Sequence, residues 1–360
     1  MLRGLVKTSI AAALHRTGAD TMVRSLRGSD RLPVVVGYHR VVDDLRQYRE
    51  TTIPALLISR TMLERHLDWI GRRFRVVSGA ELEAWLDGGA DVSRPVATIT
   101  FDDGYRDVYE HAVPLLKRKG MPAIVFVVSD LVGTARVLLH DRLYLALART
   151  SGSAAPWRAL HRALAAAGAS PTEGTTSSAA SPFTATRRVL DRLRQADVQS
   201  LVDTLEAEVG VDEAALEAMR PLSWEMLADM QRHGITVGAH TRTHPVLTNE
   251  TPTVVSEETA GSRKHLESRL GVAVHHFAYP DGGFDRTAVK AVAAAGYRLA
   301  FTACRHRDSD YPGLTLPRTL LWERSSVDAW QRFSASILSC QLRGMFDVVR
   351  SCRRPHGGAD

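Results

Sequence analysis

Short apolar runs alternate with amphipathic stretches of helical spacing along most of the chain from residue 33 onward. Residues 33–38, 96–101 and 122–128 have the length and composition of β-strands, and the third run is almost entirely apolar. Such a run is typical of a strand that is buried on both faces of a parallel sheet. Between the runs, Ser59 and the capping-box pair Ser78 and Glu81 indicate helix starts.

The same junction recurs between helical and strand-like stretches. Gly120 ends the predicted helix over residues 106–119, and Gly234 and Gly296 stand in the same position before two later apolar runs. Glycine is favoured where a helix ends in a left-handed residue. Three such junctions in one chain predict βα units, and therefore an α/β fold with a parallel sheet or barrel.

Changes in composition divide the chain into three parts. Residues 1–32 form an amphipathic N-terminal helical segment, residues 33–322 carry the βα pattern, and residues 323–360 form a C-terminal helix and basic tail. Within the middle part, residues 131–221 lose the alternation and predict an inserted group of helices. Small and polar residues dominate its stretch 151–181, so we expect a flexible loop there and no large core of its own.

The composition is that of an ordinary soluble globular protein, with 44% hydrophobic and 24% charged residues among 360. The net charge of +6 is mild and no run of Lys and Arg resembles a nucleic-acid-binding arm, so nucleic acid is not an expected partner. Cys304, Cys340 and Cys352 are widely spaced and form no C-x-x-C pair. They argue against a disulfide framework and a thiolate metal site, and favour a reducing compartment.

The N-terminal segment has apolar residues at helical spacing with Arg3, Lys7 and Arg16 between them. Its apolar stretch is short and lacks a cleavage site, so we expect no signal peptide. No apolar run approaches the roughly 18–20 residues that cross a bilayer. Two interpretations stay open: a helix that packs on the domain, and a basic helix that contacts an anionic membrane surface. The expected location is the cytoplasm, with the inner face of the membrane as a more specific alternative.

Polar clusters follow three of the predicted strands directly. Asp102 and Asp103 follow one strand, His240 and His244 follow another, and His39 ends a third. Because the carboxyl ends of parallel strands meet at one edge, where α/β folds build their sites, we expect these clusters to lie together. Residues four apart on a helical turn differ by only about 40° in direction, so the two later histidines are expected to face one ion.

These side chains suit hydrolysis at a metal. Two imidazoles and one carboxylate are ligands for zinc or another divalent first-row ion. The second carboxylate is then left over, and hydrolysis at a metal needs a base beside the ion. The pattern predicts a metal-dependent hydrolase but leaves open which carboxylate binds the ion. His39 alone is more typical of a buried strand-end histidine, and its position beside the other clusters makes it a candidate.

The motifs resemble those of the polysaccharide deacetylases of the NodB-homology type, carbohydrate esterase family 4. The family's T-F-D-D-G motif is intact at residues 100–104, and its H-[ST]-x-x-H-P motif at residues 240–245. The third motif is altered to F-A-Y-P-D-G at residues 277–282. His39 lies in a Y-H-R sequence that resembles the permuted catalytic-histidine motif of the poly-N-acetylglucosamine deacetylase branch. The resemblance covers about residues 33–321 and implies a deformed (β/α) barrel with a helical insertion.

The resemblance implies roles residue by residue. Asp103, His240 and His244 would bind one divalent metal ion, with zinc first and cobalt, nickel or another divalent ion as alternatives. Asp102 would be the general base for the attacking water, and His39 the general acid that protonates the departing amine. The implied substrate is an N-acetylhexosamine in a poly- or oligosaccharide or a lipid-linked glycan, which loses its acetyl group.

The third motif supplies further candidates. Tyr279, Pro280 and Asp281 are expected to line the site, with a backbone N–H there that helps to hold an oxyanion. Ala278 replaces the arginine that pairs with the base in many relatives, and Arg318 is the candidate to replace that cation. Asp281 stands where many relatives have tyrosine, and it could repel an anion or engage a sugar hydroxyl.

Two other functions stay open. A closed pocket would suit another small C–N amide, such as a formamide or a ureide. The altered third motif would also be compatible with a non-catalytic glycan-binding relative. For His140 and Asp141, in the insertion, we expect a packing role.

Overall fold

The computed structural model describes the chain over residues 2–18, 33–88, 94–150, 154–166 and 181–346. The centre of the expected flexible loop in the insertion and the C-terminal basic tail lie outside these residues. In the described ranges, no helix combines the length and the apolar character that crossing a membrane requires.

Parallel strands form the frame of the protein. They are β1 (Val34–Tyr38), β2 (Arg40–Val42), β3 (Leu57–Ser59), β4 (Arg75–Val76), β5 (Val96–Phe101), β6 (Ala123–Val127), β7 (Ile235–Ala239), β8 (His276–Ala278), β9 (Leu299–Thr302), β10 (Leu316–Pro317) and β11 (Thr319–Leu320). The main sheet has the order β10-β9-β8-β7-β6-β5-β1-β11, with β4 beside β5, while β2 and β3 pair separately. Every residue of β5 and β6 is buried, as expected for central strands rich in branched side chains.

The sheet curls into a nearly closed barrel. At one edge β10 pairs with β9, and at the other edge β11 pairs with β1. Arg318 alone separates β10 from β11 along the chain, so the polypeptide passes from one edge of the sheet to the other at this residue. The predicted (β/α) barrel is confirmed, and Arg318 lies at its seam.

Helices surround the barrel or build the insertion. They are α1 (Leu2–Arg16), α2 (Leu45–Tyr48), α3 (Arg60–Arg73), α4 (Gly79–Leu86), α5 (Val113–Lys119), α6 (Leu139–Ala148), α7 (Ala154–Ala166), α8 (Pro182–Leu190), α9 (Gln195–Val209), α10 (Glu213–Glu217), α11 (Trp224–Arg232), α12 (Pro252–Leu270), α13 (Arg286–Ala294) and α14 (Ala335–Leu342). The predicted caps are present: Ser59 accepts the Met62 N–H, and Ser78 and Glu81 form a capping box.

The glycine junctions also have the predicted conformation. Gly120, Gly234 and Gly296 have φ values of 60°, 79° and 83°, so each turns the chain through the left-handed region before a strand. The helix predicted after β5 is interrupted, however, by a π-helical turn over Val108–Ala112. Pro114 has no N–H to donate into a regular α-helical ladder, and the Val113 N–H instead bonds to the carbonyl of Val108.

The insertion builds a hydrophobic core of its own, contrary to expectation. Leu and Ala side chains of α6 to α9 recur at helical spacing and pack together. Its fully buried members are Leu143, Leu160, Ala185, Val189, Val202 and Leu205. The expectation failed because it was drawn from the small and polar residues of 151–181, while the apolar residues of the core are distributed over single faces of the helices.

Candidate functional site

The three polar clusters meet at the carboxyl edge of the barrel, as expected. The Nε2 atoms of His240 and His244 lie 3.4 Å and 3.2 Å from Oδ1 of Asp103. One potential ligand atom from each of the three residues lies within 4.8 Å of the others, and no other such group occurs in the described residues. Two imidazoles and one carboxylate are therefore placed around one point.

The loop that carries the two histidines is not a helical turn, which corrects the sequence prediction. Thr241 and His244 have φ values of 64° and 71° and lie in the left-handed region, as does Asp103 at 69°. Such a conformation costs a non-glycine residue about 1–3 kcal/mol, and it is most often retained at functional sites. Pro245 disfavours a right-handed helical conformation at His244, which is consistent with the absence of a helical turn here.

A buried glutamate holds this loop in place. Oε2 of Glu258, in α12, accepts hydrogen bonds from the N–H groups of Arg242 and Thr243 at 2.7 Å and 2.9 Å. Its Oε1 accepts a bond from the Thr243 hydroxyl at 2.7 Å. Glu258 was not predicted from the sequence. The available signal was an acidic residue on the apolar face of α12, between Val255 and Ser262.

We expect Glu258→Ala to weaken zinc binding by about 10–100-fold, because removing an outer partner of a ligand-bearing loop typically has that effect. Glu258→Gln keeps one acceptor oxygen, so its zinc affinity should fall less than that of Glu258→Ala. The control is Glu257→Ala, since Glu257 is the exposed neighbour on the same helix. Zinc affinity of the three variants is measured by competition with a chromogenic chelator. Equal affinity of the Glu258→Ala and Glu257→Ala proteins would contradict the role of Glu258.

The ring of His240 is oriented by the third motif. Its Nδ1 lies 2.7 Å from the carbonyl oxygen of Ala278, which can only accept, so Nδ1 carries the proton. The lone pair of Nε2 is then directed towards Asp103. Ala278 thus contributes its backbone carbonyl, although it lacks the side chain that relatives carry at this position.

The residues present fit a divalent cation. Oδ1 of Asp103 is buried and has no hydrogen-bond partner among the described residues, an arrangement that is costly unless a cation completes it. Burial acts to raise the pKa of Asp103, but the adjacent imidazoles of His240 and His244 outweigh it and hold the pKa well below the usual range. The carboxylate is therefore ionised, as a metal ligand must be.

Asp102 forms a buried, bidentate ion pair with Arg318. Nη1 and Nη2 of Arg318 lie 2.6 Å and 2.8 Å from its two carboxylate oxygens, and Nη1 also donates to the Thr100 hydroxyl. Burial acts to raise the pKa of Asp102, but the charges of Arg318, His240 and His39 outweigh it and lower the pKa. Arg318 therefore supplies the cation beside Asp102. This was the role predicted for it from the presence of alanine at position 278.

Gly37 of β1 lies at the barrel seam beside this pair. A Cβ on Gly37 would lie 2.5 Å from the side chain of Leu320 and 3.7 Å from Nη1 of Arg318. His39 follows β1 on the same edge, and its Nε2 lies 3.9 Å from Oδ2 of Asp102. Its side chain is 13% exposed and that of Asp102 3%, so His39 lies on the more open side of the carboxylate.

Tyr279 and Pro280 of the third motif have no free hydrogen-bond donor for the site, which corrects part of another expectation. The ring of Tyr279 is buried in the core, its hydroxyl donates to the carbonyl of Leu314, and its N–H donates to the carbonyl of Phe301. Pro280 has no N–H to offer. Neither residue can therefore supply the oxyanion donor expected from the sequence.

Asp281 connects the edge of the site to the insertion. It has a left-handed φ of 55°, and its carboxylate is hydrogen-bonded by Arg187 of α8. A second connection runs from the Gln195 side chain at the start of α9 to the carbonyl of Thr243, at 2.7 Å. The insertion therefore forms one wall of the site.

His140 and Asp141 also face the site, where only packing was expected. The Tyr105 hydroxyl donates to Asp141 at 2.7 Å, and its oxygen lies 3.1 Å from Nε2 of His140. That Nε2 is 4.0 Å from Oδ2 of Asp103. Burial lowers the pKa of His140 to about 3, so the ring is neutral, and raises the pKa of Asp141 to about 6. The available signal was Tyr105, which directly follows the T-F-D-D-G motif.

Comparison of the sequence with protein families finds one described as polysaccharide deacetylase, which matches residues 89–168 and 180–300. A curated relative, YxkH of Bacillus subtilis, is named as a candidate polysaccharide deacetylase. It is 20% identical over 249 residues, which are 69% of this chain and 59% of YxkH. The matched region thus spans less than two thirds of that relative's length.

Two solved structures share the fold. The deacetylase PplD of Streptococcus pyogenes, solved with acetate, is 17% identical with a TM-score of 0.54, over 86% of this chain and 97% of PplD. IcaB of Ammonifex degensii is 21% identical with a TM-score of 0.52, over 86% of this chain and 96% of IcaB.

Proposed function

This chain belongs to the polysaccharide deacetylase family, and from that premise we propose that it is a metal-dependent N-deacetylase of glycans. The substrate would be an N-acetylhexosamine in a poly- or oligosaccharide or a lipid-linked glycan. The observation that carries the proposal is the pairing of Asp102 with Arg318 beside the Asp103, His240 and His244 group. This arrangement provides an ionised base next to three potential metal ligands.

Asp103, His240 and His244 would hold the metal, with zinc as the first expectation. A divalent ion in such a site lowers the pKa of water and polarises a carbonyl oxygen. Asp102 is ionised and not among the proposed ligands, so its carboxylate is available to take the proton of the attacking water. Arg318 keeps that carboxylate charged and fixes its direction through two hydrogen bonds.

His39 completes the proposed reaction from the more open side of Asp102. Water adds to the acetamide carbon as Asp102 removes its proton, and the C–N bond then breaks. The amine nitrogen leaves with a proton from His39, while the acyl part leaves as acetate. An imidazole suits this donation because its ordinary pKa lies near neutrality.

The test is acetate release from N-acetylglucosamine oligomers by the purified protein. It is assayed as isolated, after removal of metal with a chelator, and after reloading with zinc, cobalt or nickel. We expect release that chelation abolishes and one of the metals restores, because the proposed reaction needs the ion to lower the pKa of the attacking water and to polarise the acetamide carbonyl. No release from a protein that binds one metal ion firmly would contradict the proposed substrate and favour another C–N amide or a binding-only role.

A further inference from the structure

The outer face of α1 carries large apolar side chains that the fold leaves in solvent. Leu5, Val6 and Ile10 are 41%, 49% and 50% exposed and lie on one side of the helix. Seven large apolar side chains in the described ranges are exposed to this degree, and three of them are on this one helix.

The inner face of the same helix is built from small residues. Gly4 lies against Ala329, the hydroxyl of Thr8 accepts a hydrogen bond from the Ala329 N–H at 3.1 Å, and Ala11 is fully buried against α14. A soluble amphipathic helix normally packs its large apolar side chains and turns its polar ones to water. Apart from Leu14, which packs against the α14 cluster, this helix buries small residues and leaves Leu5, Val6 and Ile10 in solvent. These outward side chains therefore fit an apolar environment outside the barrel.

The loop that packs on α1 through Ala329 carries an exposed tryptophan at the next position. Trp330 is 60% exposed, whereas the other five tryptophans of the chain are buried or half-buried. Its loop is well braced, because Asp328 accepts hydrogen bonds from the N–H groups of Trp330 and Arg332. The guanidinium of Arg332 lies over the Trp330 ring, 5.4 Å from its centroid. Tryptophan beside a basic residue is typical of the boundary between a membrane and water.

The charge around these side chains is positive. Residues 2–18 contain no Asp or Glu but include Arg3, Lys7 and Arg16, whereas Arg332 of the neighbouring loop is paired with Asp328 at 3.5 Å and adds no net charge. These cations would attract an anionic membrane surface. Helices that lie in a membrane interface typically combine apolar side chains with Lys and Arg in this way. A second copy of the same helix would bring like charges together, which disfavours self-association through this face.

We propose that Leu5, Val6, Ile10 and Trp330, here called the apolar patch, dock the protein on the surface of an anionic phospholipid bilayer. The helix α1 would lie in the plane of the interface with its small-residue face still packed on α14 and Ala329. The proposal does not rest on the deacetylase activity, because no residue of the apolar patch belongs to the metal-ligand or base groups.

The experiment is sedimentation of the purified full-length protein with extruded vesicles of phosphatidylcholine alone or mixed with phosphatidylglycerol. We expect binding to the phosphatidylglycerol vesicles that added salt weakens. A Val6→Glu/Ile10→Glu double variant should bind these vesicles about tenfold or more weakly. The two substitutions place negative charges on the face of α1 that would enter the bilayer surface. Trp330→Ala should bind the same vesicles severalfold more weakly than the parent. The matched control is Val272→Glu, which changes a side chain of 48% exposure away from α1 and should bind as the parent does.

Each contrary outcome is distinguishable. Equal binding of the double variant and the parent, with unchanged melting temperatures, would overturn the proposal. Binding of the parent to phosphatidylcholine alone that equals its binding to the mixture would overturn the choice of an anionic surface. A parent that binds neither vesicle but forms a dimer in light scattering, which the double variant does not form, would assign the face to self-association instead.

Discussion

Replacing Asp102 with asparagine should reduce acetate release by about 10²–10⁴-fold, the range for loss of a general base. The amide cannot take a proton from water, whereas the carboxylate that it replaces is kept ionised by Arg318. Because Asp102 is not among the proposed ligands, the variant should retain the zinc stoichiometry of the parent. The measurement is kcat/KM for acetate release together with metal content by mass spectrometry.

Asp102→Asn also leaves a buried guanidinium without its charged partner, which is expected to cost about 3–5 kcal/mol of folding stability. The chain offers a matched control for this effect. Asp107 is a buried carboxylate that pairs with the buried Arg40 at 2.7 Å, outside the ligand group. Asp107→Asn should lose comparable stability but keep its activity within tenfold for each folded molecule. A full rate for Asp102→Asn, or an equal loss in both variants, would contradict the base assignment.

The barrel could be predicted because its signals are local. Apolar runs, capping residues and glycines at helix ends each depend on a few neighbouring residues, and the structure has them where the sequence indicates. The meeting of the three clusters also followed from the sequence, because parallel strands end at a common edge. His39, Asp102 and His240 stand directly after β1, β5 and β7, which lie close together in the sheet.

The interactions that tune the site could not be predicted in the same way. Arg318 and Asp102 are 216 positions apart, and their pairing could be suspected only from the missing arginine at position 278. The histidine loop was predicted as a helical turn because the spacing of His240 and His244 matches one. The actual loop has left-handed residues and is held by hydrogen bonds to Glu258. Glu258 lies in α12, outside the motif, so the spacing of the two histidines does not reveal it.

The insertion illustrates a different reason for error. The small and polar residues of its central stretch, 151–181, suggested a loop, but its helices place Leu and Ala on single faces that become apparent only when they pack. His140 and Asp141 likewise looked like packing residues, yet the first turn of α6 brings them against Tyr105 and the metal-ligand group. Composition therefore predicted neither the core of the insertion nor its contribution to the site.

The interaction of Arg318 with Asp102 should matter as much for stability as for turnover. Arg318→Met leaves Asp102 buried beside the barrel seam without its guanidinium, and breaking a buried ion pair in this way typically costs about 3–5 kcal/mol. Arg318→Lys keeps one cation but cannot form both hydrogen bonds, so its loss should be smaller. The measurement is the free energy of unfolding from urea titrations of the parent and both variants.

The pH dependence of these variants separates an electrostatic role for Arg318 from simple packing. In the parent, the folded-state pKa of Asp102 lies below its unfolded value, so the stability it adds is present above the unfolded pKa and is lost as pH falls through the folded one. Without Arg318 the effect of burial is less opposed and the folded pKa rises. If it rises above the unfolded value, Arg318→Met loses most stability near neutral pH and approaches the parent as the pH falls.

The same shift should appear in catalysis, because a base must be ionised to accept a proton. The acidic limb of the kcat/KM profile of Arg318→Met should move to higher pH, whereas Arg318→Lys should stay closer to the parent. An Asp102→Asn/Arg318→Met double variant removes both charges and should be more stable than either single variant, since neither charge is left buried alone. A pH-independent stability loss in Arg318→Met, with an unmoved acidic limb, would show that Arg318 acts by filling space at the seam.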